Sequence, residues 1–175
     1  MSISADTRRL VRDRAHFACE FCTVAETDTG GELTLDHFHP KAKGGTDEPE
    51  NLLYACMRCN LHKADYWPIH SDDLPLWNPR QEPMAAHLLI LTDGTLYPTT
   101  PVGEFTIARL RLNRPPLVAY RLGKLRRQET ELLLSRYREI VRTLEQLSAQ
   151  QALLLEENRI LLEEQRRILR MLLLE

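Results

Sequence analysis

The chain has 175 residues, of which 43% are hydrophobic and 27% charged, and its net charge is −2. This length allows one compact domain with an appended segment, and the composition is ordinary for a globular protein. No run of about 18 apolar residues is present and the polar start MSISADTRRLVRDRA lacks the apolar core of a secretion signal, so we expect a cytoplasmic protein without a membrane span.

Charge is unevenly distributed along the chain. Residues 1–115 carry 12 lysines and arginines against 16 aspartates and glutamates, whereas residues 116–175 carry 11 against 9. Neutralisation of phosphates dominates nonspecific affinity for DNA, so the acidic first part is a poor candidate for a strong nonspecific DNA binder. A nucleic-acid function would have to depend on local basic patches, a metal ion or a partner.

The first predicted element is a short basic helix over about residues 5–16, capped by Ser4 or Asp6. A cysteine-bounded segment follows, with a strand-like stretch over residues 32–37 and a short apolar stretch over residues 52–55. A polar loop that contains two adjacent glycines joins them. This order predicts a small hairpin.

The third segment, residues 66–116, begins with a loop rich in proline and tryptophan. We expect Trp67 and Trp77 to pack in the core, although each could instead stack on exposed bases. A hairpin is predicted around Asp93-Gly94, a pair that favours a type I′ turn. A helix over residues 103–113 should follow and end at the next two prolines.

The last segment, residues 117–175, is rich in Leu, Glu, Arg and Gln and predicts a helix of roughly 80 Å. Alternating steps of four and three select a heptad seam: Leu133, Tyr137, Ile140, Leu144, Leu147, Gln151, Leu154, Asn158, Leu161, Gln165, Ile168 and Leu172. A polar residue such as Asn158 at an a position favours two strands. We therefore expect a homodimeric coiled coil, with docking to a different protein or folding back on the first domain as alternatives.

The four cysteines form two C-x-x-C pairs, Cys19 with Cys22 and Cys56 with Cys59. In a reducing cytosol such pairs favour a metal site over disulfides. Four thiolates can hold one structural Zn²⁺ tetrahedrally, which would tie two distant segments together and contribute to folding. The alternative is four buried or redox-active cysteines without a metal.

Candidate residues for phosphodiester hydrolysis lie between the cysteine pairs. That reaction needs a base to activate water and a cation near the scissile phosphate. Asp36 and His37 end the predicted strand and should point to opposite faces, while Asn60 follows Cys59 at the start of a predicted helix over residues 60–65. A neutral histidine is a natural base, and carboxylate and amide oxygens suit Mg²⁺ or Mn²⁺.

This region resembles the HNH endonuclease family. The match is carried by Cys19/Cys22, Asp36-His37, Pro40, Gly44-Gly45, Asn51-Leu52, Cys56/Cys59, Asn60 and Lys63. The resemblance implies an α+β fold: a ββα-metal nuclease core with zinc knuckles in residues 1–65, a hairpin and helix extension in residues 66–116, and a long coiled-coil helix in residues 117–175. The entry sequence VRDRAHFACEFC and the extension, which includes LWNPR, also resemble a bacterial subgroup, over about residues 7–128.

The resemblance also implies roles for individual residues. His37 corresponds to the general base, Asp36 and Asn60 to ligands of a catalytic cation, Asn51 to the residue that fixes the loop and orients the base, and Lys63 to a phosphate contact. His62 is a possible further ligand and His39 a rival base. Lys41, Lys43 and Arg12 are candidate nucleic-acid contacts.

The sequence therefore predicts a Mg²⁺- or Mn²⁺-dependent DNA endonuclease. Two alternatives remain: a nuclease subunit of a larger, defence-type complex recruited through the coiled coil, and a zinc-stabilised module that binds nucleic acid without cutting it. The joint presence of Asp36, His37, Asn51 and Asn60 favours the enzyme, because binding alone requires none of them.

Overall fold

A computed structural model describes residues 3–172 and separates into two compact units, residues 1–125 and 126–175. The fold is α+β, as predicted. Its elements are α1 (Ala5–Arg14), α2 (Glu26–Thr29), β1 (Thr34–His37), β2 (Leu52–Ala55), α3 (Met57–Lys63), β3 (Leu88–Ile90), β4 (Leu96–Pro98), α4 (Pro101–Leu110) and α5 (Pro115–Leu172). Within residues 3–172, no helix is both long and apolar enough to cross a membrane.

Helix α1 begins at the predicted cap, because the Ser4 hydroxyl oxygen accepts a hydrogen bond from the Thr7 amide at 3.0 Å. The helix ends two residues before the predicted boundary. His16 and Phe17 adopt left-handed backbone conformations, with φ of 51° and 58°, which a right-handed helix cannot contain. Val11 is the buried residue through which α1 joins the core.

Strands β1 and β2 form an antiparallel pair in which Thr34 faces Ala55 and His37 faces Leu52. All four residues of β2 are buried, so β2 carries this hairpin into the core. Helix α3 then begins at Met57 instead of Asn60, because the Cys56 sulfur accepts a hydrogen bond from the Cys59 amide at 3.5 Å and caps the helix. The predicted start at Asn60 was therefore wrong by three residues.

The predicted second hairpin is present as β3 and β4, but its turn is not of type I′. A type I′ turn needs positive φ at both central residues. Gly94 has φ of 84°, but the φ of Asp93 is not positive. The Leu91 amide bonds the Thr95 carbonyl at 2.8 Å, which closes a three-residue loop. Gly94 is also required by space, since a Cβ there would lie 2.6 Å from the Val118 carbonyl oxygen.

Helix α4 starts and ends before the predicted limits. The Thr100 hydroxyl oxygen caps it by accepting from the Gly103 amide at 3.1 Å, and Arg111 ends it in a left-handed conformation with φ of 49°. The two prolines at 115 and 116 begin α5 instead of ending α4, which is possible because the first turn of a helix needs no amide donors.

The first turns of α5 belong to the first unit. The buried Arg121 guanidinium donates to the Gly94 carbonyl oxygen at 2.6 Å and to the Leu112 carbonyl oxygen at 2.9 Å. The Tyr120 hydroxyl donates to the Thr23 carbonyl oxygen at 3.0 Å. These contacts attach the start of α5 to the cysteine region and to the second hairpin.

The second unit consists of the remainder of α5. Residues 126–172 are helical and exposed along their whole length. Its large apolar side chains are accordingly in solvent in the single chain, including seam residues Leu133, Leu154 and Leu161, which are 65%, 58% and 57% exposed. An isolated helix of this composition leaves a substantial apolar surface without a partner.

Candidate functional site

The four cysteines lie together, as predicted from their spacing. Their sulfur atoms are all within 4.8 Å of one another, and all four residues are buried. None of the four, all within the described chain, forms a disulfide; the sulfurs of Cys22 and Cys56 are 3.7 Å apart. Hydrogen bonds from the neighbouring thiols lower the pKa of Cys56. A convergent set of four sulfur ligands fits a tetrahedral metal ion such as Zn²⁺.

Local structure explains why the cysteines converge. Cys19 and Cys22 lie in a tight turn, closed by a 2.8 Å bond from the Thr23 amide to the Cys19 carbonyl oxygen, with Thr23 in the left-handed region. The other pair spans the first turn of α3. The cluster therefore joins the segment after α1 to the end of the β1–β2 hairpin.

Asp36 provides a mostly buried carboxylate on β1. Its side chain is 11% exposed, and its Oδ2 atom forms an ion pair with the Lys63 ammonium nitrogen at 3.1 Å but accepts no hydrogen bond from any other residue of the described chain. Burial raises the pKa of Asp36, and the nearby Lys63 ammonium group partly offsets this effect. One ammonium contact leaves a lone pair of that oxygen free, so a bound divalent cation could use it as a ligand.

Asn60 contacts β1, the strand that carries Asp36. The Asn60 amide nitrogen is 3.3 Å from the Thr34 hydroxyl oxygen, and Thr34 shares one face of β1 with Asp36. The amide oxygen of Asn60 accepts no hydrogen bond from residues 3–172 and is thus available as a second oxygen ligand. A carboxylate oxygen and an amide oxygen are ligand types that a hard divalent cation prefers.

Lys63 is buried, whereas the family resemblance implied a contact with phosphate. Its side chain is 1% exposed, and its ammonium group donates to the His37 carbonyl oxygen at 2.6 Å and lies 3.1 Å from Asp36 Oδ2. Lys63 is one turn after Asn60, on the same face of α3. A phosphate contact requires an accessible ammonium group, so this burial argues against that role and makes Lys63 a buried counter-ion.

His37 is held by a residue that the sequence analysis missed. Its Nε2 atom lies 2.7 Å from Asp47 Oδ1, and the other carboxylate oxygen of Asp47 accepts from Lys41 at 2.6 Å. Hydrogen bonds from Lys41 and from His37 lower the pKa of Asp47. When Nε2 carries the proton, Nδ1 keeps a lone pair and can accept a proton from water.

Asn51 fixes the loop between β1 and β2. Its amide oxygen accepts from the His39 amide at 2.8 Å, and its amide nitrogen donates to the carbonyl oxygens of His39 and Thr46 at 3.0 and 2.8 Å. Gly45 is needed where the loop closes, since a Cβ there would lie 1.8 Å from the His39 carbonyl oxygen. Asn51 therefore holds His39, which follows His37 closely, next to Thr46, which precedes Asp47.

The two rival histidines have other environments. The His39 ring stacks on Trp67 with centroids 3.9 Å apart, and its Nε2 atom lies 2.7 Å from the Lys43 carbonyl oxygen. His62 lines a separate groove with Arg58, Arg111 and Arg114. Burial and these arginines lower the pKa of His62. Residues two apart on a helix do not face each other, so His62 and Asn60 point in different directions.

The basic candidates differ in accessibility. Lys43 is exposed and Lys41 is 49% exposed, although Lys41 is paired with Asp47. Arg12 is instead bound to Glu26, with bonds of 2.6 and 2.7 Å, and lies 3.2 Å from Glu32. Arg12 is therefore committed to an internal ion pair, which leaves the two lysines as the better candidates for phosphate contacts.

Comparison with known proteins identifies a family for one part of the chain. No curated protein and no solved structure matches the chain. The model of the family described as HNH endonuclease matches residues 19–65, which include both cysteine pairs, the Asp36-His37 pair, Asn51 and Asn60. Residues 19–65 are an HNH endonuclease domain.

Proposed function

We propose that this protein is a metal-dependent endonuclease that hydrolyses phosphodiester bonds of DNA. The observation that carries the proposal is the mostly buried carboxylate of Asp36, which is held by the Lys63 ammonium group and lies on the same face of β1 as Thr34, whose hydroxyl group contacts the Asn60 amide. Two oxygen ligands on a strand and a helix make an open cation site rather than a closed structural one, since most of the coordination positions remain for water and substrate.

Mg²⁺ or Mn²⁺ held there would offset the charge that develops on the scissile phosphate and the leaving oxygen. Asp36 supplies the charged ligand and Asn60 the neutral one. Lys63 keeps one positive charge 3.1 Å from the Asp36 Oδ2 atom. This arrangement holds the carboxylate in place before a divalent cation binds.

His37 is the proposed general base. Its Nδ1 atom takes a proton from the attacking water, the water oxygen bonds to phosphorus, and the bond from phosphorus to the leaving oxygen breaks. The leaving oxygen departs as an alkoxide with the electron pair of that bond and takes a proton from solvent water. Asp47 accepts from Nε2, orients the ring and stabilises the imidazolium that forms. Asn51 holds the ends of the loop that carries this pair.

Lys41 and Lys43 are the proposed phosphate contacts, because both belong to the loop between the base and Asp47. The Asp47 carboxylate holds Lys41 at 2.6 Å, so a phosphate would have to share or replace that partner. The four cysteines are proposed to hold a structural Zn²⁺ that fixes the start of α3 and thereby the position of Asn60.

A role as the nuclease subunit of a larger assembly is the second candidate. It is favoured by the acidic balance of residues 1–115, which opposes unaided DNA binding, and by the exposed apolar side chains of the second unit. In that case the second unit would bind a partner protein instead of a second copy of this chain.

The testing experiment is incubation of the zinc-loaded chain with supercoiled plasmid and Mg²⁺, Mn²⁺ or no added divalent cation. His37→Ala and Asp36→Asn should abolish cutting, whereas His70→Ala, which replaces an exposed histidine outside the site, should not. Folded protein that cuts with neither cation would overturn the proposal for the isolated chain. Cutting restored by an added partner would favour the subunit role.

A further inference from the structure

A cavity of about 630 Å³ lies between the β1–β2 loop and the extension, within the first unit. Phe38 and His39, which follow the proposed base directly, form one side, and Tyr66 and Trp67, which follow α3, adjoin them. The extension closes the cavity with Asn78 and Glu82. This volume falls within the range of pockets that bind small molecules.

The wall next to the β1–β2 loop is aromatic. The Trp67 ring stacks on His39 at an interplanar angle of 18°, and the Phe38 ring meets Trp67 edge-on with centroids 6.0 Å apart. Trp67 is only partly buried, whereas Trp77 is 3% exposed and packs in the core. The prediction that both tryptophans belong to the core therefore holds for Trp77 alone. An aromatic group with accessible surface can receive a planar ligand.

The polar groups of the cavity suit a hydrogen-bonding ring and not an anion. Glu82 is fixed by a 2.6 Å contact with His87 Nε2, and the Glu50 carboxylate accepts no hydrogen bond within residues 3–172. Asn78 uses its amide oxygen to accept from the Arg80 amide, which leaves its amino group as a donor. No lysine or arginine of the described chain lines the cavity, so two carboxylates would repel a phosphate.

We propose that this cavity receives one unpaired or extruded nucleobase of the substrate. Aromatic side chains would contact its ring, carboxylate oxygens would accept from exocyclic amino groups, and the Asn78 amino group would donate to a ring carbonyl or nitrogen. Because Phe38 and His39 are adjacent to His37, the base would belong to a nucleotide close to the cut. This inference rests on the proposed function, since it assumes a nucleic-acid substrate.

A preference for substrates with an unpaired base follows from the inference. Extrusion from an intact duplex costs the stacking and pairing of one base, and this cost is smaller at a mismatch, a bulge or in a single strand. The pocket would therefore discriminate by base-pairing state even where the phosphate contacts are the same.

The test measures binding and not cleavage, so that it is independent of catalysis. The probe is a labelled DNA duplex with one mismatched base pair, compared with its fully paired counterpart, and the protein is full-length His37→Ala with Zn²⁺ and Mg²⁺. Fluorescence anisotropy gives both affinities. We expect the mismatched duplex to bind about tenfold more tightly, which is within the range of base–aromatic stacking effects.

Trp67→Ala in the same background should remove most of this preference, and Trp67→Phe should retain part of it. Tyr97→Ala removes an exposed aromatic side chain outside the cavity and should leave the preference unchanged. Thermal melting establishes that each variant is folded. If Trp67→Ala does not fold, two single variants take its place, Trp67→Phe and Asn78→Ala. Neither of them removes the aromatic packing.

Equal affinity for the two duplexes, or a preference that the folded Trp67 variants leave intact, overturns the pocket assignment. Plasmid cutting by the unmodified chain would still support the nuclease in that case. Conversely, a Trp67-dependent preference in a chain that never cuts would support the pocket and overturn the proposed catalysis.

Discussion

The ammonium group of Lys63 lies 3.1 Å from the Asp36 carboxylate, and both side chains are withdrawn from solvent. Lys63 also donates to the carbonyl oxygen of His37, so one lysine contacts the proposed metal ligand and the backbone of the proposed base. The position of the two residues at the end of β1 therefore depends on a buried charge supplied by α3.

Replacing Lys63 with Met should destabilise the protein by roughly 3–5 kcal/mol, because it leaves the Asp36 carboxylate buried without a counter-ion. Chemical unfolding at neutral pH measures this loss. Added Mn²⁺ should restore more stability to Lys63→Met than it adds to the unchanged protein, since the divalent cation takes over the lost charge. Equal Mn²⁺ effects on both proteins would contradict a cation site at Asp36.

Asp47 should act through His37. Asp47→Asn keeps the shape of the side chain but removes the negative charge at the Nε2 atom, so the imidazolium formed during catalysis is less stable. We expect kcat to fall about tenfold or more, while His37→Ala loses on the order of 10²–10⁴ in kcat. Steady-state cleavage of a short duplex measures kcat and KM.

Asp72→Asn is the matched control for this charge change, because Asp72 is exposed and outside the loop. An Asp47→Asn enzyme with full kcat would show that the Asp47 contact has no part in positioning the base. The same variant also frees Lys41 from its partner. A lower KM in Asp47→Asn would therefore be the sign that Lys41 contacts phosphate.

Each chain should contain one Zn²⁺, because the four sulfurs converge on one point. Cys59→Ser should lower the zinc content measured by atomic emission and the thermal stability of the first unit, since thiolate is replaced by a weaker ligand. A chelator should have the same effect on the unchanged protein. A cooperative melting transition that neither the chelator nor Cys59→Ser alters would rule out a structural role for the metal.

The Arg12–Glu26 pair should make stability depend on acid pH. Hydrogen bonds from Arg12, and to a smaller degree from Tyr54, lower the pKa of Glu26 to about 2. A carboxylate with a lowered pKa contributes stability above its ordinary value near 4.5, and the contribution is lost as the pH falls towards 2. Glu26→Gln should therefore lower the free energy of unfolding at pH 7. The difference in this free energy between the variant and the unchanged protein should shrink progressively below pH 4.5.

Urea unfolding of both proteins across this pH range gives the comparison, with the exposed Glu104→Gln as the control for loss of one carboxylate. A difference that stays constant down to pH 2 would show that the Glu26 contribution is not ionic. Arg12→Ala should reproduce the loss at neutral pH. It should leave the salt dependence of DNA binding unchanged if Arg12 serves the fold instead of contacting phosphate.

Some of the site could be predicted from the sequence because its chemistry is local. Cys56 and Cys59 share one helical turn, and Asp36 and His37 are neighbours on a strand, so spacing alone places their side chains. Asn51 was predicted through the family resemblance, and its hydrogen bonds agree with a loop-fixing role. The prediction of these residues required no information about contacts between distant parts of the chain.

Other features depend on tertiary contacts that no spacing encodes. Asp47 is one of several acidic residues in a polar loop, and only the closed loop brings it to His37. From its place in the sequence, Lys63 would be an exposed lysine near the end of a helix. In the fold, α3 packs so that the Lys63 ammonium group reaches β1. The turn at Gly94 is determined partly by the approach of α5, which limits the space there.

The second unit provides the final prediction. Its seam side chains Leu147 and Leu154 are 59% and 58% exposed, so burial against a second helix would remove a large apolar surface from water. We expect the full chain to sediment as a dimer at micromolar concentrations. The Leu147→Lys/Leu154→Lys double variant should be monomeric, whereas Gln146→Lys, which adds a charge beside the seam, should stay dimeric.

Asn158→Leu should keep the chain associated but allow larger assemblies, because a polar residue at an a position restricts the number of strands at a cost in stability. Sedimentation equilibrium distinguishes these states. A monomeric unchanged chain would exclude self-association and would favour docking of the helix to a different protein. If the chain is a dimer, two active sites can act on one DNA, and the monomeric double variant should convert supercoiled plasmid mainly to the nicked form while the dimer also produces the linear form.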